Sequence, residues 1–148
     1  MLFRFENRFE NSSSMQHETR WVGWPGQYIP EGPEKDALEV ELFNQNCIPV
    51  WLGKQIVDLH YNGFCNSVLW QLFHYVPLQM DFKLSETQTL QQQWAAYVHA
   101  NQLFADVMLR EHREGDIVWV QDYHLMLLPA MLKEAHPEIK VCVFFFKI

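Results

Sequence analysis

The apolar positions in the last third of the chain predict two strands with a helix between them. Ile117 to Val120 is a β-branched and aromatic run that follows a tight turn. From Leu125 to Ala135 the apolar residues favour a helix, which Pro137 would stop. A second apolar run extends from Lys140 to Phe146. Because a short helix joins two strands, this order is typical of a right-handed βαβ unit with a parallel sheet.

The middle of the chain also alternates helix-like and strand-like segments. A row made by Phe64, Val68 and Leu72 has the spacing of a helix whose apolar face packs into a core. Pro33 suits the first turn of an earlier helix, since that position needs no backbone donor. The pattern predicts helices over residues 33–45, 61–75 and 94–112, and a short buried strand over residues 47–52.

The first twenty residues differ from the rest. They carry scattered charge and an Asn-Ser-Ser-Ser run with no apolar repeat, so a mobile leader is predicted over residues 1–20. Order is expected from Trp21 onward. With 148 residues and 49% hydrophobic content, the chain is long and apolar enough for one core. The predicted fold is α/β, a partial Rossmann-like domain over residues 21–148 with a parallel sheet flanked by helices.

Charge and cysteine content exclude several classes of protein. Eleven basic residues against 18 acidic ones give a net charge of −7, without a basic stripe on any predicted helix. Nucleic acid and anionic membrane are therefore not expected as partners. No apolar run approaches the ~20 residues of a membrane span, and the polar start is unlike a secretory signal. Cys47, Cys65 and Cys142 lack metal-site spacing, which favours reduced thiols and a cytoplasmic protein.

The candidate chemistry lies where the strand at Ile117 to Val120 ends. Asp122 follows it directly, and the carboxyl ends of parallel strands form the crevice where ligands bind. The same carboxylate is also suited to capping the helix near Leu125, and the two roles are compatible. The spacings Asp58-x-His60 and Asp122-x-His124 each offer two metal ligands, but neither has a third ligand nearby, so structural histidines are favoured.

Several uncommon strings occur in an order that resembles the trehalose-6-phosphate synthases of glycosyltransferase family 20, with wording closest to fungal members. The resemblance covers about residues 21–148. The strings are Gly23-Trp24-Pro25-Gly26, Leu59-His60-Tyr61-Asn62-Gly63-Phe64, Val68-Leu69-Trp70, Leu72-Phe73-His74-Tyr75, Gly115-Asp116 and Asp122-Tyr123-His124-Leu125-Met126-Leu127-Leu128-Pro129.

The resemblance implies a retaining glycosyltransferase with two Rossmann-like domains in a GT-B arrangement. Such an enzyme moves glucose from UDP-glucose to glucose 6-phosphate, with UDP-glucose as co-substrate and without a metal or other cofactor. Residues 21–148 would then be part of the amino-terminal, acceptor-side domain, and the donor domain would be absent. A fragment of this kind is expected to be inactive alone. Other subunits of a trehalose-synthase complex are further expected partners.

The family motifs assign roles to four residues here. By resemblance, Tyr61 and Asp122 hold glucose 6-phosphate, Trp70 lines the same pocket, and Trp24 belongs to a loop near the cleft. A phenol donates a hydrogen bond to a phosphate oxygen, whereas a carboxylate only accepts and so suits a sugar hydroxyl. An indole offers an apolar face to the sugar ring. Trp70 also lies beside the row of Phe64 and is alternatively a core residue.

Three positions depart from the family pattern. Gln121 stands where the family usually has His, and Gln71 stands where it usually has Pro. Lys147-Ile148 replaces the His that lines the active centre in the family. A second function class therefore stays open, in which the chain is a non-catalytic fragment that binds sugar phosphate or associates with full-length subunits.

Overall fold

The computed structural model describes residues 2–9, 16–77 and 84–145, with side chains described in 19–77 and 87–145. Five strands form one sheet in the order β3-β2-β1-β4-β5. They are β1 (Leu2–Phe9), β2 (Gln16–Gly23), β3 (Cys47–Pro49), β4 (Ile117–Gln121) and β5 (Lys140–Phe144).

Strand direction confirms the predicted parallel arrangement for four of the five strands. β2 pairs in parallel with β3, and β4 pairs in parallel with β5. β1 lies between these two pairs and runs antiparallel to both β2 and β4. The carboxyl ends of β2, β3, β4 and β5 therefore face the same edge of the sheet. Of the predicted strand over Lys140 to Phe146, Phe146 lies outside the described residues.

The segment expected to be a leader, residues 1–20, contains β1 and the start of β2, so regular structure begins before Trp21. Residues 2–9 form a full strand at the centre of the sheet, with Leu2 opposite Gly23 and Phe9 opposite Gln16. The sequence contains the reason, because Phe3, Phe5 and Phe9 alternate with charged residues at the period of two that strands require. Asn7 is polar at a position where the alternation requires an apolar residue, which makes the strand pattern harder to recognise.

The helices follow the predicted order and cover both predicted long segments. α1 (Pro33–Asn44) and α3 (Leu84–Glu111) are regular helices. We use α2 for one composite helix, built from Lys54–Ile56, Val57–Leu69 and Trp70–Phe73. A 3₁₀ turn at Tyr123–Leu125 precedes α4 (Leu128–Ala135). None of the described helices is both long and apolar enough to cross a membrane.

The central part of α2 is a π-helix, which changes the face that it buries. In a π-helix the contacts join residues five apart rather than four. Phe64 and Leu69 are buried, whereas Leu72 is 52% exposed and Phe73 is 49% exposed. The predicted apolar row is thus right at Phe64 and wrong at its end, because the wider turn rotates the last residues out of the core.

Among the described residues, two apolar clusters fill the interior. The larger one joins the strands to α3 and α4 through fully buried side chains such as Val118, Phe104 and Leu128. The smaller one lies between α2, α3 and the turn after β4. It contains Phe64, Cys65, Leu69, Tyr97 and Tyr123. This second cluster supports the edge of the sheet where β4 ends.

Candidate functional site

Asp122 lies at the carboxyl edge of the sheet, directly after β4. Alternate residues Val118 and Val120 of that strand are fully buried, which anchors it in the core. The Asp122 backbone N–H donates to the carbonyl oxygen of Phe144 in β5 at 2.7 Å, so the pairing of the two strands extends to this residue. The prediction that Asp122 follows a buried parallel strand is confirmed.

The backbone of Asp122 has an unusual conformation. Its φ of 66° and ψ of −177° fall in a region that non-glycine residues rarely adopt, at a cost of about 1–3 kcal/mol. Its side-chain Oδ1 accepts a hydrogen bond from the Tyr123 N–H at 2.8 Å, so the carboxylate caps the following turn. No described residue hydrogen-bonds to Oδ2. Capping therefore involves one of the two carboxylate oxygens.

Three aromatic rings form a row beside this turn. The Tyr61 ring lies 5.6 Å from the Trp24 ring at 54°, and 5.5 Å from the His124 ring at 17°. His124 also stacks on Tyr123, with ring centroids 4.3 Å apart. Trp24, Tyr61 and His124 are each half-buried. The loop after β2, the helix α2 and the turn after β4 thus contribute one ring each to a partly exposed surface next to Asp122.

Trp70 is not part of this row. It lies in the last segment of α2, is 41% exposed, and stacks on the His74 ring at 4.1 Å. Among the described residues, no ring contact or hydrogen bond joins it to Trp24, Tyr61 or Asp122. The alternative that Trp70 is a core residue is wrong, because the residue is 41% exposed. Of the four predicted site residues, the structure brings three together and leaves Trp70 apart.

Burial and the Asp122 carboxylate set the protonation of the neighbouring groups. Burial raises the pKa of Tyr123 to about 12, and Asp122 adds to this effect by disfavouring a second negative charge. Burial likewise lowers the pKa of His124, although Asp122 opposes that shift. Both rings beside Asp122 therefore favour their neutral forms near neutral pH.

His60 lies beneath the row as a fully buried imidazole. Burial lowers its pKa to about 4, with a smaller contribution from His124. Its Nδ1 lies 3.6 Å from the Sγ of Cys65, and its ring packs on Tyr97 at 5.4 Å. The expectation of a satisfied structural histidine is met only in part, because the buried Nε2 of His60 has no hydrogen-bond partner among the described residues. In the described part of the chain, no cluster of three or more His, Cys, Asp or Glu side chains is arranged to hold a metal ion.

Two residues that support the site were not singled out from the sequence. Tyr97 and Asn101 of α3 are both fully buried and bond to the backbone that follows Asp122. Asn101 carried a usable signal, because it is a polar residue four positions after Tyr97 on the apolar face of a helix. A buried amide needs hydrogen-bond partners, and such a position predicts contacts with nearby backbone.

The two internal departures from the family pattern fit the fold without a break. Gln121 is the last residue of β4 and pairs with Phe144. Gln71 lies within the last helical segment of α2, which continues to Phe73. Lys147 and Ile148 lie outside the described residues.

Comparison with known proteins identifies the relatives of this chain. Residues 4–147 match the model of glycosyltransferase family 20. An α,α-trehalose-phosphate synthase (UDP-forming) from Arabidopsis thaliana is 48% identical over 126 residues, which is 85% of this chain and 13% of the relative. The corresponding synthase from Pichia angusta is 46% identical over 121 residues, 81% of this chain and 24% of the relative.

A solved structure gives the same result for the fold. The N-terminal domain of a trehalose-6-phosphate phosphatase from Candida albicans superposes with a TM-score of 0.64 at 28% identity, over 84% of this chain and 25% of that one. The fold is a partial Rossmann-like domain, part of the amino-terminal half of a GT-B architecture. The chain spans about a quarter or less of the length of these relatives, and it belongs to glycosyltransferase family 20.

Proposed function

We propose that this chain forms the acceptor-binding part of a retaining glycosyltransferase that makes trehalose 6-phosphate from UDP-glucose and glucose 6-phosphate. Relatives named as UDP-forming trehalose-phosphate synthases support the activity. The observation that carries the proposal is the strained Asp122 at the carboxyl edge of the sheet, beside the ring row of Trp24, Tyr61 and His124. Strained backbone is retained chiefly where function requires it.

The chemistry of each group suits one part of glucose 6-phosphate. The Tyr61 hydroxyl would donate to the phosphate, and the Asp122 carboxylate would accept from a sugar hydroxyl. The half-buried Trp24 ring would cover the apolar face of the sugar. Its buried Nε1 has no hydrogen-bond partner among the described residues. A place for Trp70 in the same pocket rests on the family motif alone, because its ring stacks on His74 and not on the ring row.

Transfer requires donor and acceptor to be held together, because stabilising a charged transition state depends on the position of both. We assign UDP-glucose to groups beyond this acceptor-side part, as a co-substrate of the complete enzyme. The reaction in this proposal needs no metal or other cofactor. We also propose a cytoplasmic location, and Cys47, Cys65 and Cys142 are consistent with it because all three are free thiols.

Binding of glucose 6-phosphate tests the proposal directly. The chain has six tryptophans, so titration can be followed by intrinsic fluorescence and checked by calorimetry. Tyr61→Phe should weaken the affinity about tenfold or more, since a hydrogen bond to a charged group contributes about 1.5–3 kcal/mol. Glucose without the phosphate should lose less affinity on this substitution. Equal affinity of both proteins for glucose 6-phosphate would remove Tyr61 from the site.

The resemblance to the N-terminal domain of a trehalose-6-phosphate phosphatase favours one second candidate, a non-catalytic domain that binds sugar phosphate or associates with synthase subunits. A chimera separates the two. This chain replaces the matching segment of the Pichia angusta synthase, and the production of trehalose 6-phosphate is measured. Turnover supports the enzyme, whereas a folded chimera that binds glucose 6-phosphate without turnover supports the non-catalytic domain. Residues 1–148 alone should show no turnover with both substrates.

A further inference from the structure

Two buried polar side chains of α3 lie behind the proposed site. Tyr97 and Asn101 are one helical turn apart and are both 0% exposed. Their neighbours on the same helix face, including Ala100 and Phe104, are buried and apolar. Buried polar atoms are retained where they have hydrogen-bond partners. Here the partners lie on the segment that follows Asp122, 26 to 29 residues further along the chain.

Each of these side chains bonds to that segment twice. The Tyr97 hydroxyl donates to the carbonyl oxygen of Tyr123 at 2.7 Å and accepts from the N–H of Met126 at 2.9 Å. The Asn101 Oδ1 accepts from the N–H groups of Leu127 and Leu128, at 3.1 and 3.0 Å. These are the N–H groups that the start of α4 leaves without helical partners.

The pair is also internally satisfied. The Asn101 Nδ2 donates to the Tyr97 carbonyl oxygen at 2.8 Å, within α3. Burial raises the pKa of Tyr97, so its hydroxyl keeps the proton that it donates to Tyr123. Fully satisfied buried networks of this kind rigidify the segment that they hold.

The strained backbone of Asp122 lies between two fixed points. On one side its own N–H bonds to Phe144 of β5. On the other side, the next carbonyl group along the chain, that of Tyr123, is held by Tyr97. A conformation of this kind persists only where the surroundings determine it on both sides. Tyr97 supplies the second of these constraints, and Asn101 holds the start of α4 behind it.

We propose that Tyr97 and Asn101 are positioning residues of the acceptor site, which hold Asp122 in its strained conformation so that the carboxylate meets the sugar. The proposal rests on the proposed function and adds a requirement to it. An alternative role is purely structural, in which the two side chains only cap α4. A capping role changes stability without a specific effect on Asp122, and this difference can be measured.

A double-mutant cycle distinguishes the two roles. Tyr97→Phe keeps the ring and removes only the hydroxyl. In the unsubstituted chain it should weaken the affinity for glucose 6-phosphate about five- to tenfold, and in Asp122→Asn it should weaken the affinity less than twofold. Neighbouring residues that act as one unit show such non-additivity. Tyr28→Phe, at a tyrosine that is 57% exposed, is the matched control and should change neither affinity.

Equal losses of affinity in both backgrounds would overturn the proposal, because Tyr97 would then act independently of Asp122. Thermal unfolding is measured in parallel, so that only variants folded at the assay temperature are compared. A structural cap lowers the unfolding temperature by the same amount in both backgrounds and leaves the affinity of the folded protein unchanged.

Amide hydrogen exchange tests the contacts without any ligand. Tyr97→Phe should accelerate exchange at Met126 at least tenfold, and Asn101→Ala should do the same at Leu127 and Leu128. Unchanged exchange at all three amides would refute the positioning role. If the unsubstituted chain binds no glucose 6-phosphate, the proposed function fails, and the exchange measurement still decides whether Tyr97 and Asn101 hold the turn.

Discussion

The two ends of β4 carry aspartates with opposite surroundings. Asp116, just before the strand, is 2% exposed, and its Oδ2 accepts from the Arg113 N–H at 2.9 Å and lies 3.4 Å from the Arg20 guanidinium. Asp122, just after the strand, is half-buried with a strained backbone, and no described residue bonds to its Oδ2. The Asp116 carboxylate is buried, with internal partners at Oδ2 and none at Oδ1 among the described residues, whereas the Asp122 carboxylate is partly exposed on a strained backbone.

The two aspartates that flank β4 therefore differ in burial, and only the partly exposed one is proposed here to bind a ligand. Burial with a paired cation indicates that Asp116 stabilises the fold. The strained backbone at a partly exposed edge is the observation on which the proposed ligand role of Asp122 rests, since glycine would adopt this conformation without strain. Substitutions at the two positions should therefore affect different measurements.

The largest expected effect is on stability, at Asp116. Asp116→Ala leaves the buried Arg20 with one carboxylate partner fewer and the Arg113 N–H without its acceptor, which should cost about 3 kcal/mol. Urea unfolding measures this loss. The affinity of the folded protein for glucose 6-phosphate should stay within twofold of the starting value. Glu114→Ala, at an exposed neighbour, is the control and should change stability by less than ~0.5 kcal/mol. A weakened site in folded Asp116→Ala would contradict the separation.

The next effect is a loss of stability at low pH, which arises at His60, beneath the carboxyl edge of the sheet. Because the pKa of His60 is lowered to about 4, the unfolded chain binds a proton between pH 6.5 and 4 that the folded chain does not. The contribution of His60 to the free energy of unfolding should therefore be fully present above pH 6.5. It should fall as the pH drops below that value, by up to about 1.4 kcal/mol per pH unit. Urea titrations at pH 7, 6 and 5 measure the slope.

His60→Leu tests the source of that slope. The slope of the free energy of unfolding against pH reports the number of protons taken up on unfolding. In His60→Leu this number should be smaller by about one in the same pH range, whatever the effect of the substitution on stability at pH 7. An unchanged slope in folded His60→Leu would show that the acid sensitivity arises at other groups.

Much of the carboxyl edge could be predicted from sequence because its signals are local. A few neighbouring residues are enough to recognise the strand from Ile117 to Val120, the polar Asp122 and the helix before Pro137. Their order predicts a pair of parallel strands. The row of Trp24 with Tyr61 was not predictable in this way. Their contact depends on how α2 packs against the loop after β2, which no local pattern encodes.

The errors have equally definite causes. β1 was missed because Asn7 breaks a short alternation and because its pairing with β4 joins residues more than 100 positions apart. The exposure of Leu72 and Phe73 was not predicted, because the apolar row was drawn with contacts between residues three or four apart. In the π-helical part of α2, contacts join residues five apart. The role of Asn101 was missed because its partners lie on another element.

A smaller effect should reveal the strain at Asp122 itself. Asp122→Gly and Asp122→Ala both remove the carboxylate, so both should weaken binding of glucose 6-phosphate about tenfold or more. They differ in backbone, since only glycine adopts the observed conformation without strain. Asp122→Gly should therefore be more stable than Asp122→Ala by about 1–2 kcal/mol. Equal stability of the two in thermal unfolding would mean that the position carries little strain.

The smallest expected change in stability is at β5, one of the two edge strands of the described sheet. Val143, Phe144 and Phe145 are 41%, 46% and 54% exposed, and the Phe145 ring lies 6.3 Å from the half-exposed Phe73. An apolar strand with an open edge favours pairing with another copy of the chain, and a charge in the strand opposes it.

We expect the chain to self-associate and to bind hydrophobic dyes, and Val143→Lys should suppress both. The free energy of unfolding should change by less than ~0.5 kcal/mol. Val40→Lys, at an exposed valine of α1, is the matched control and should suppress neither. Sedimentation velocity across a range of concentrations measures the association, and a monomeric profile for the unsubstituted chain would show that this edge is protected without the added charge.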